Sequence, residues 1–313
     1  MGTTGDGEPM TTPDLEQAVL EQAVFIGGTG RSGTTIAGRV LNNHPALALT
    51  TPREVRFLTT RGGIIETLGP LLPGGKLGNS DPKQFARRMR GRFYRWPKPS
   101  GVEQGLHRSV DKAILDTAVT NYLEEVSTDP VSASRRLIFA IIPSTLKASA
   151  GSRWVDTTPS NAQRIRALHA LLPEAKFVHM MRDGRDVAVS FASKQFGPGD
   201  PLEALEKWGE RMFRSFAEES EVPAGVVIRV DLADWVGPDG IDSLRSVCDF
   251  LGADRDAGLE SWFSANVTSD AMHGGRWQRD LTAESAEALD RRYTHWCELL
   301  TERYPQFPLP RAM

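Results

Sequence analysis

Short apolar runs alternate along this chain with stretches of helical spacing. The run "AVFIGG" (23–28) ends in glycines, and "SGTTIAGRVLNNH" behind it has helical spacing and stops at His44-Pro45. That order predicts a strand, a tight loop and a helix. "ALALT" (46–50), "SRWVD" (152–156), "AKFVHMM" (175–181) and "GVVIRV" (225–230) read as further strands. The helices "NAQRIRALHALL" and "LEALEKWGERMFRSFAEES" separate the last three. Strands and helices alternating at these lengths predict an α/β fold, a central parallel sheet flanked by helices in three layers.

Residues 62–150 break the alternation. "GGIIETLGPLLPGGKLGNSDP" is too rich in glycine and proline to be one regular element, and three helices are expected after it, near 82–95, 110–126 and 130–149. This is a mostly helical insertion, placed to wall a substrate pocket above the sheet. Its cluster Arg87, Arg88, Arg90, Arg92 and Arg95 is either a solvated helix face or a meeting place for an anionic substrate. Residues 1–20 read as a flexible N-terminus and lead-in, and 21–313 as a single α/β domain.

Composition narrows the class. The net charge of −3 over 313 residues lacks the basic surplus of a nucleic-acid binder. Cys248 and Cys297 are too few for a disulfide framework and have no metal-ligand spacing, so no metal is expected. The polar, acidic start "MGTTGDGEPMTTPD" has no basic and apolar leader, and no run of about 20 apolar residues spans the chain, so a cytoplasmic location is expected. The 29 arginines against 8 lysines fit a GC-rich bacterial genome.

The chemistry gathers at two strand ends. In "GTGRSGTT" the Gly28 and Gly33 spacing is that of a phosphate loop, yet Thr34 stands where nucleotide hydrolases keep a lysine. Gly30 and Gly33 let the backbone wrap an anion, Ser32, Thr34 and Thr35 add hydroxyls, and Arg31 can replace the missing positive charge. In "KFVHMMRDGRDVAVSFASKQF", Arg182 ends a strand, Ser190 follows eight residues on and Lys194 four beyond that. Ser190 and Lys194 are expected to share one helix face and to converge with Arg182 on a second oxyanion. Asp183 and Asp186 read as charges at the helix N-terminus.

The two segments resemble the sulfotransferases that use 3′-phosphoadenosine 5′-phosphosulfate (PAPS). "RSGTT" is similar to that family's 5′-phosphosulfate loop, and Arg182 with Ser190 to its 3′-phosphate signature. Gly275, Arg276 and Trp277, in "MHGGRWQRDL", resemble its closing loop, with His273 beside it as a possible phosphate contact. The resemblance implies a phosphate-loop-like sulfotransferase fold, PAPS as co-substrate without metal, and transfer of a sulfuryl group to a small-molecule hydroxyl such as a natural product of secondary metabolism. It also explains the missing lysine, since the donor has no β- or γ-phosphate to grip.

The arginine before Ser-Gly-Thr-Thr and the later His-Pro resemble the tyrosylprotein and bacterial branches. There a glutamate after His-Pro is the base, which implies Glu54 here, with Arg31 stabilising charge on the leaving phosphate. The spacing is about two residues longer than in the tyrosylprotein branch, and His107, in the insertion, remains the rival base. Thr157 stands where many relatives carry lysine before Thr-Pro, and "IRVDLADW" lacks a tyrosine the family keeps. Two alternatives stay open: a phosphate-loop kinase using ATP and Mg²⁺, and a degenerate module that binds nucleotide without turnover.

Overall fold

The computed structural model describes residues 20–69, 81–97, 101–146, 152–268 and 273–312. The N-terminal lead-in falls outside them. Five strands make one sheet in the order β2-β5-β1-β6-β7: β1 (Val24–Gly28), β2 (Leu47–Leu49), β5 (Arg153–Asp156), β6 (Lys176–Met181) and β7 (Val227–Asp231). The β1–β5, β2–β5 and β6–β7 ladders are parallel, so the expected α/β class with a central parallel sheet is found. Two short strands, β3 (Trp96–Pro97) and β4 (Glu103–Gln104), form a separate antiparallel pair inside the insertion. The chain divides into two compact units.

The first unit spans residues up to 25, 44–156 and 167–176. Its sheet portion is sealed by Phe25 and Trp154, whose rings meet edge to face at 5.1 Å, and the Trp154 indole donates to the Leu20 carbonyl. The described part of the 62–150 segment holds α2 (Ile65–Leu68), α3 (Pro82–Arg88), α4 (Lys112–Glu125) and α5 (Pro130–Thr145), with α1 (Thr34–Leu41) preceding them in the chain. The helix expected at 82–95 is interrupted. Gly91 leaves helical geometry, and Met89–Phe93 closes as a π turn. Leu115, Val119 and Tyr122 on α4 and Leu137, Ile138 and Ile141 on α5 are buried at helical spacing, which is why these two helices hold as a pair.

The second unit contains residues 26–43, 157–166 and 177 onward. After α6 (Ile165–Leu171) of the first unit come α7 (Gly184–Ala192), α8 (Pro201–Glu219), α9 (Leu232–Val236), α10 (Gly240–Leu251), α11 (Ala257–Asn266), α12 (Arg276–Asp280) and α13 (Ala283–Arg303). On α8, Ala204, Leu205, Trp208, Met212 and Phe216 form one buried stripe that packs with Leu289, Tyr293 and Leu300 of α13. Gly184 lets α7 approach the Trp208 ring, where a β-carbon would lie within 2.6 Å of it. Among the described residues no helix is long and apolar enough to cross a membrane. Burial pushes both cysteine thiols upward, as expected of unreactive thiols.

Candidate active site

The phosphate-loop segment lies in the second unit, between β1 and α1. Gly30, Arg31 and Gly33 all take positive φ (+80°, +60° and +96°), so the backbone coils into the left-handed region where successive N–H groups converge on an anion. Arg31 adopts this conformation without being glycine, a strain of the kind that collects at functional sites. Helix α1 then starts at Thr34 with no side-chain cap and no acidic residue in its first turn. By contrast, aspartates cap α3, α4, α5, α7, α8, α9 and α11. Leaving these donors open costs helix stability unless an anion completes them.

The loop's carbonyls are tied back into the protein. Gln163 donates to Gly28 O at 3.1 Å, Arg211 to Thr29 O at 2.6 Å and Arg182 to Arg31 O at 3.4 Å. Ser32 is fully buried and its hydroxyl has no hydrogen-bond partner among the described residues. A buried orphan hydroxyl inside an N–H cradle is suited to a phosphate oxygen.

The second motif reaches the first. Arg31 Nε donates to Ser190 Oγ at 3.1 Å, joining residues 159 apart in sequence. Arg182 is buried, and its Nε lacks a partner among the described residues while Nη2 reaches Asp186 Oδ2 at 3.4 Å and the His273 carbonyl at 2.9 Å. Burial, and then Arg276, pull the Arg31 guanidinium below its ordinary value. Burial also lowers Arg182, against the opposing pull of Asp186. Cations crowded in this way are suited to a ligand carrying more than one negative charge.

Asp186 does more than charge a helix end. Its carboxylate accepts from Gly275 N at 3.0 Å and Trp277 N at 3.4 Å, so it latches the closing segment beside Arg182. Asp183 is the helix cap, accepting from Arg185 N. The Trp277 ring lies 4.2 Å from the Arg185 guanidinium, and Arg276 pairs with Asp280 at 2.8 Å. Lys194 departs from expectation. Helix α7 ends at Ala192 with Ser193 as its C-cap, so Lys194 lies in the following turn and does not share a helix face with Ser190. The turn is closed by Gly197 N donating to Lys194 O, in a space where any β-carbon on Gly197 would collide with Phe191 O. Thr34 is buried, Thr35 is exposed, and Thr157 is buried at the start of its segment.

The base candidates lie in the first unit. Glu54 is half-buried, and the next peptide is fixed: Val55 N donates to Asp156 Oδ1 at 2.6 Å, with Asp156 fully buried at the end of β5. Nothing local in "RWVD" marks that aspartate as a support for the glutamate segment. The His107 ring contacts the Tyr94 carbonyl through Nδ1 at 3.0 Å. A carbonyl only accepts, so Nδ1 is the donor in this contact and Nε2 is the nitrogen left to exchange a proton with a substrate. The arginine cluster is partly spent: Arg90 pairs with Asp116 at 3.1 Å and Arg95 with Glu103 at 3.2 Å, while Arg92 donates to the Arg61 carbonyl.

A model of the sulfotransferase family matches residues 78–257, more than half of the chain and inclusive of Arg182, Ser190 and Arg211. The chain belongs to the sulfotransferase family. This sulfotransferase is 24% identical over 216 residues to a Caenorhabditis briggsae protein provisionally named protein-tyrosine sulfotransferase. That match takes in 67% of the chain, which spans only 59% of the relative's length. Among solved structures it is similar to the sulfotransferase domain of a Synechococcus PCC 7002 olefin synthase. Identity there is 18%, coverage is 92% of this chain and 96% of that one, and the TM-score is 0.48. A mouse sulfotransferase complexed with PAP gives 13% identity, coverage of 96% and 95%, and a TM-score of 0.47.

Proposed function

We propose that this sulfotransferase takes its sulfuryl group from PAPS and passes it to a small-molecule hydroxyl, releasing 3′-phosphoadenosine 5′-phosphate. One observation carries the reading: Arg31 of the glycine loop hydrogen-bonds Ser190 of the second motif, so one continuous cationic site faces two phosphate positions. The residues present fit the donor. Ser32 Oγ and Arg182 Nε are buried and without partners among the described residues, and no side chain caps the α1 N-terminus. Gly30 to Thr35 hold the 5′-phosphate end, and Arg182 and Ser190 hold the 3′-phosphate, with Lys194 able to reach it only from the turn beyond α7. Gly275, Arg276 and Trp277 close the site through the Asp186 latch.

PAPS, when bound, supplies the electrophilic sulfuryl group, and no metal is needed to bridge phosphates. Glu54 takes the proton of the acceptor hydroxyl as general base. Arg31 and the loop N–H groups stabilise the negative charge left on the 5′-phosphate, and such preorganised donors are each typically worth about 10²–10³ in rate. Where relatives place a lysine before Thr-Pro, Thr157 offers no charge, which leaves Arg31 as the cation at that end.

Calorimetric titration with 3′-phosphoadenosine 5′-phosphate, beside ATP with Mg²⁺, tests the reading. Tight binding of the bisphosphate is expected. Preference for ATP with Mg²⁺ makes the protein a kinase instead, and nucleotide binding without turnover on any hydroxyl in an acceptor screen makes it a binding module.

A further inference from the structure

The glycine loop is held from behind by groups that the scheme above leaves out. Arg211, on α8, donates from Nη1 to the Thr29 carbonyl at 2.6 Å. Gln163 donates from Nε2 to the Gly28 carbonyl at 3.1 Å and to Ser215 Oγ at 3.0 Å. Ser215 Oγ in turn donates to the Arg211 carbonyl at 2.9 Å. Ser215 is fully buried and Gln163 nearly so. Two successive loop carbonyls are thus fixed by one connected network anchored on α8.

The consequence follows from peptide geometry. In a planar trans peptide the carbonyl and the next N–H point in opposite directions. Holding Gly28 O and Thr29 O toward α8 turns the Thr29 and Gly30 N–H groups away from it. Gly30 and Arg31, at positive φ, continue the same curl. The donors of the cradle are therefore aimed before any anion arrives, which is the condition for strong electrostatic stabilisation.

Arg211 adds something that Gln163 cannot. It is half-buried, yet it makes no ion pair among the described residues. Its guanidinium lies 5.4 Å from the ring of Phe191, the neighbour of Ser190, and its Nη1 is beside Gly30. Burial is the main influence on it and disfavours its charge. Glu210 pulls the other way but makes no ion pair with it, and a half-buried cation of this kind is stabilised further by a bound anion nearby.

We propose that Arg211 is a positioning residue of the nucleotide site, aiming the Gly30 N–H at the donor's 5′-phosphate end and adding positive charge behind the loop. This rests on the reading of residues 28–35 as the donor's phosphate cradle.

The test compares Arg211→Met and Arg211→Lys with the wild type, by thermal melting and by calorimetric titration with 3′-phosphoadenosine 5′-phosphate at low and high salt. Methionine keeps the packing on Phe191 but removes charge and donor. It is expected to weaken binding about tenfold or more at low salt, while lysine recovers affinity to within about fivefold of the wild type. Affinity of Arg211→Met within twofold of the wild type overturns the proposal. So does an equal loss in both variants that tracks a lowered melting temperature, the mark of a structural role only. Should Arg211→Met not fold, Arg211→Gln keeps an N–H donor without charge; wild-type affinity at low salt overturns the proposal in the same way. Failure of the wild type to bind the bisphosphate sinks the cradle reading itself, and this inference with it. Those outcomes are separate from a wild type that binds while the variants are unaffected.

Discussion

Arg31 Nε and Ser190 Oγ are 3.1 Å apart, so a residue of the loop between β1 and α1 is bound directly to a residue on the helix after β6. Arg182 completes the link by donating to the Arg31 carbonyl. The two ends of the proposed nucleotide site therefore share a hydrogen-bonded seam.

Ser190→Ala is expected to lower affinity for 3′-phosphoadenosine 5′-phosphate about tenfold, since a hydrogen bond to a charged group contributes about 1.5–3 kcal/mol. Affinity for adenosine 5′-phosphate, which lacks the 3′-phosphate, should fall by much less. An equal loss for both ligands by calorimetry removes Ser190 from the 3′-phosphate site.

Removing Arg182 strands the Asp186 carboxylate, which is 1% exposed. Breaking such a pair costs about 3–5 kcal/mol, so Arg182→Ala should lose both nucleotide binding and melting temperature. The double variant Arg182→Ala with Asp186→Asn is expected to regain part of the melting temperature but none of the affinity. Recovery of affinity would show that Arg182 serves only to balance Asp186.

Glu54→Gln should retain bisphosphate affinity and lose turnover by about 10²–10⁴, the usual worth of a general base. His107→Gln should leave turnover within a few fold. The reverse pattern in a steady-state assay transfers the role to His107, whose Nε2 is left to exchange a proton.

Gly28→Ala places a β-carbon within 2.5 Å of the Met180 carbonyl and against the Ser32 hydroxyl. The Met180 carbonyl, being backbone, cannot yield cheaply, so the variant should melt well below the wild type, by several kcal/mol of stability. A wild-type denaturation midpoint would mean that β1 and β6 are less closely apposed at this position.

His169 gives the pH dependence. Burial is the leading cause that lowers its pKa from 6.5, and its Nδ1 is buried without a partner among the described residues. The folded state keeps the ring neutral, so the unfolded chain protonates first. Stability is full above pH 6.5 and falls as pH drops through the window below it. His169→Gln should flatten the decline in melting temperature between pH 7 and pH 5, and an unchanged slope would show that other groups carry it.

Much of this was readable from the sequence because the information is local. Apolar runs bounded by glycine gave β1, β5, β6 and β7 to within two residues, and glycines at 30 and 33 sit where φ must be positive. Helical spacing placed α4 and α8 with similar accuracy. The misses concern where elements end, break or are very short. Lys194 was expected on the Ser190 face, but a Ser193 C-cap ends α7 one residue after Ala192. Gly91 broke a helix whose arginines looked continuous, and the β3–β4 pair has only two residues per strand, too few for a periodicity to register.

What the sequence determined by itself was the set of elements and the chemistry of each loop, because propensity, capping and φ restrictions act over a few residues. The strand order β5-β1-β6 was left to the tertiary structure. That order is set by which buried faces pack together, so it alone brings Ser190 to Arg31. Packing likewise lays α8 behind the glycine loop and turns Gln163 and Arg211, ordinary polar positions in the linear pattern, into the groups that hold its carbonyls.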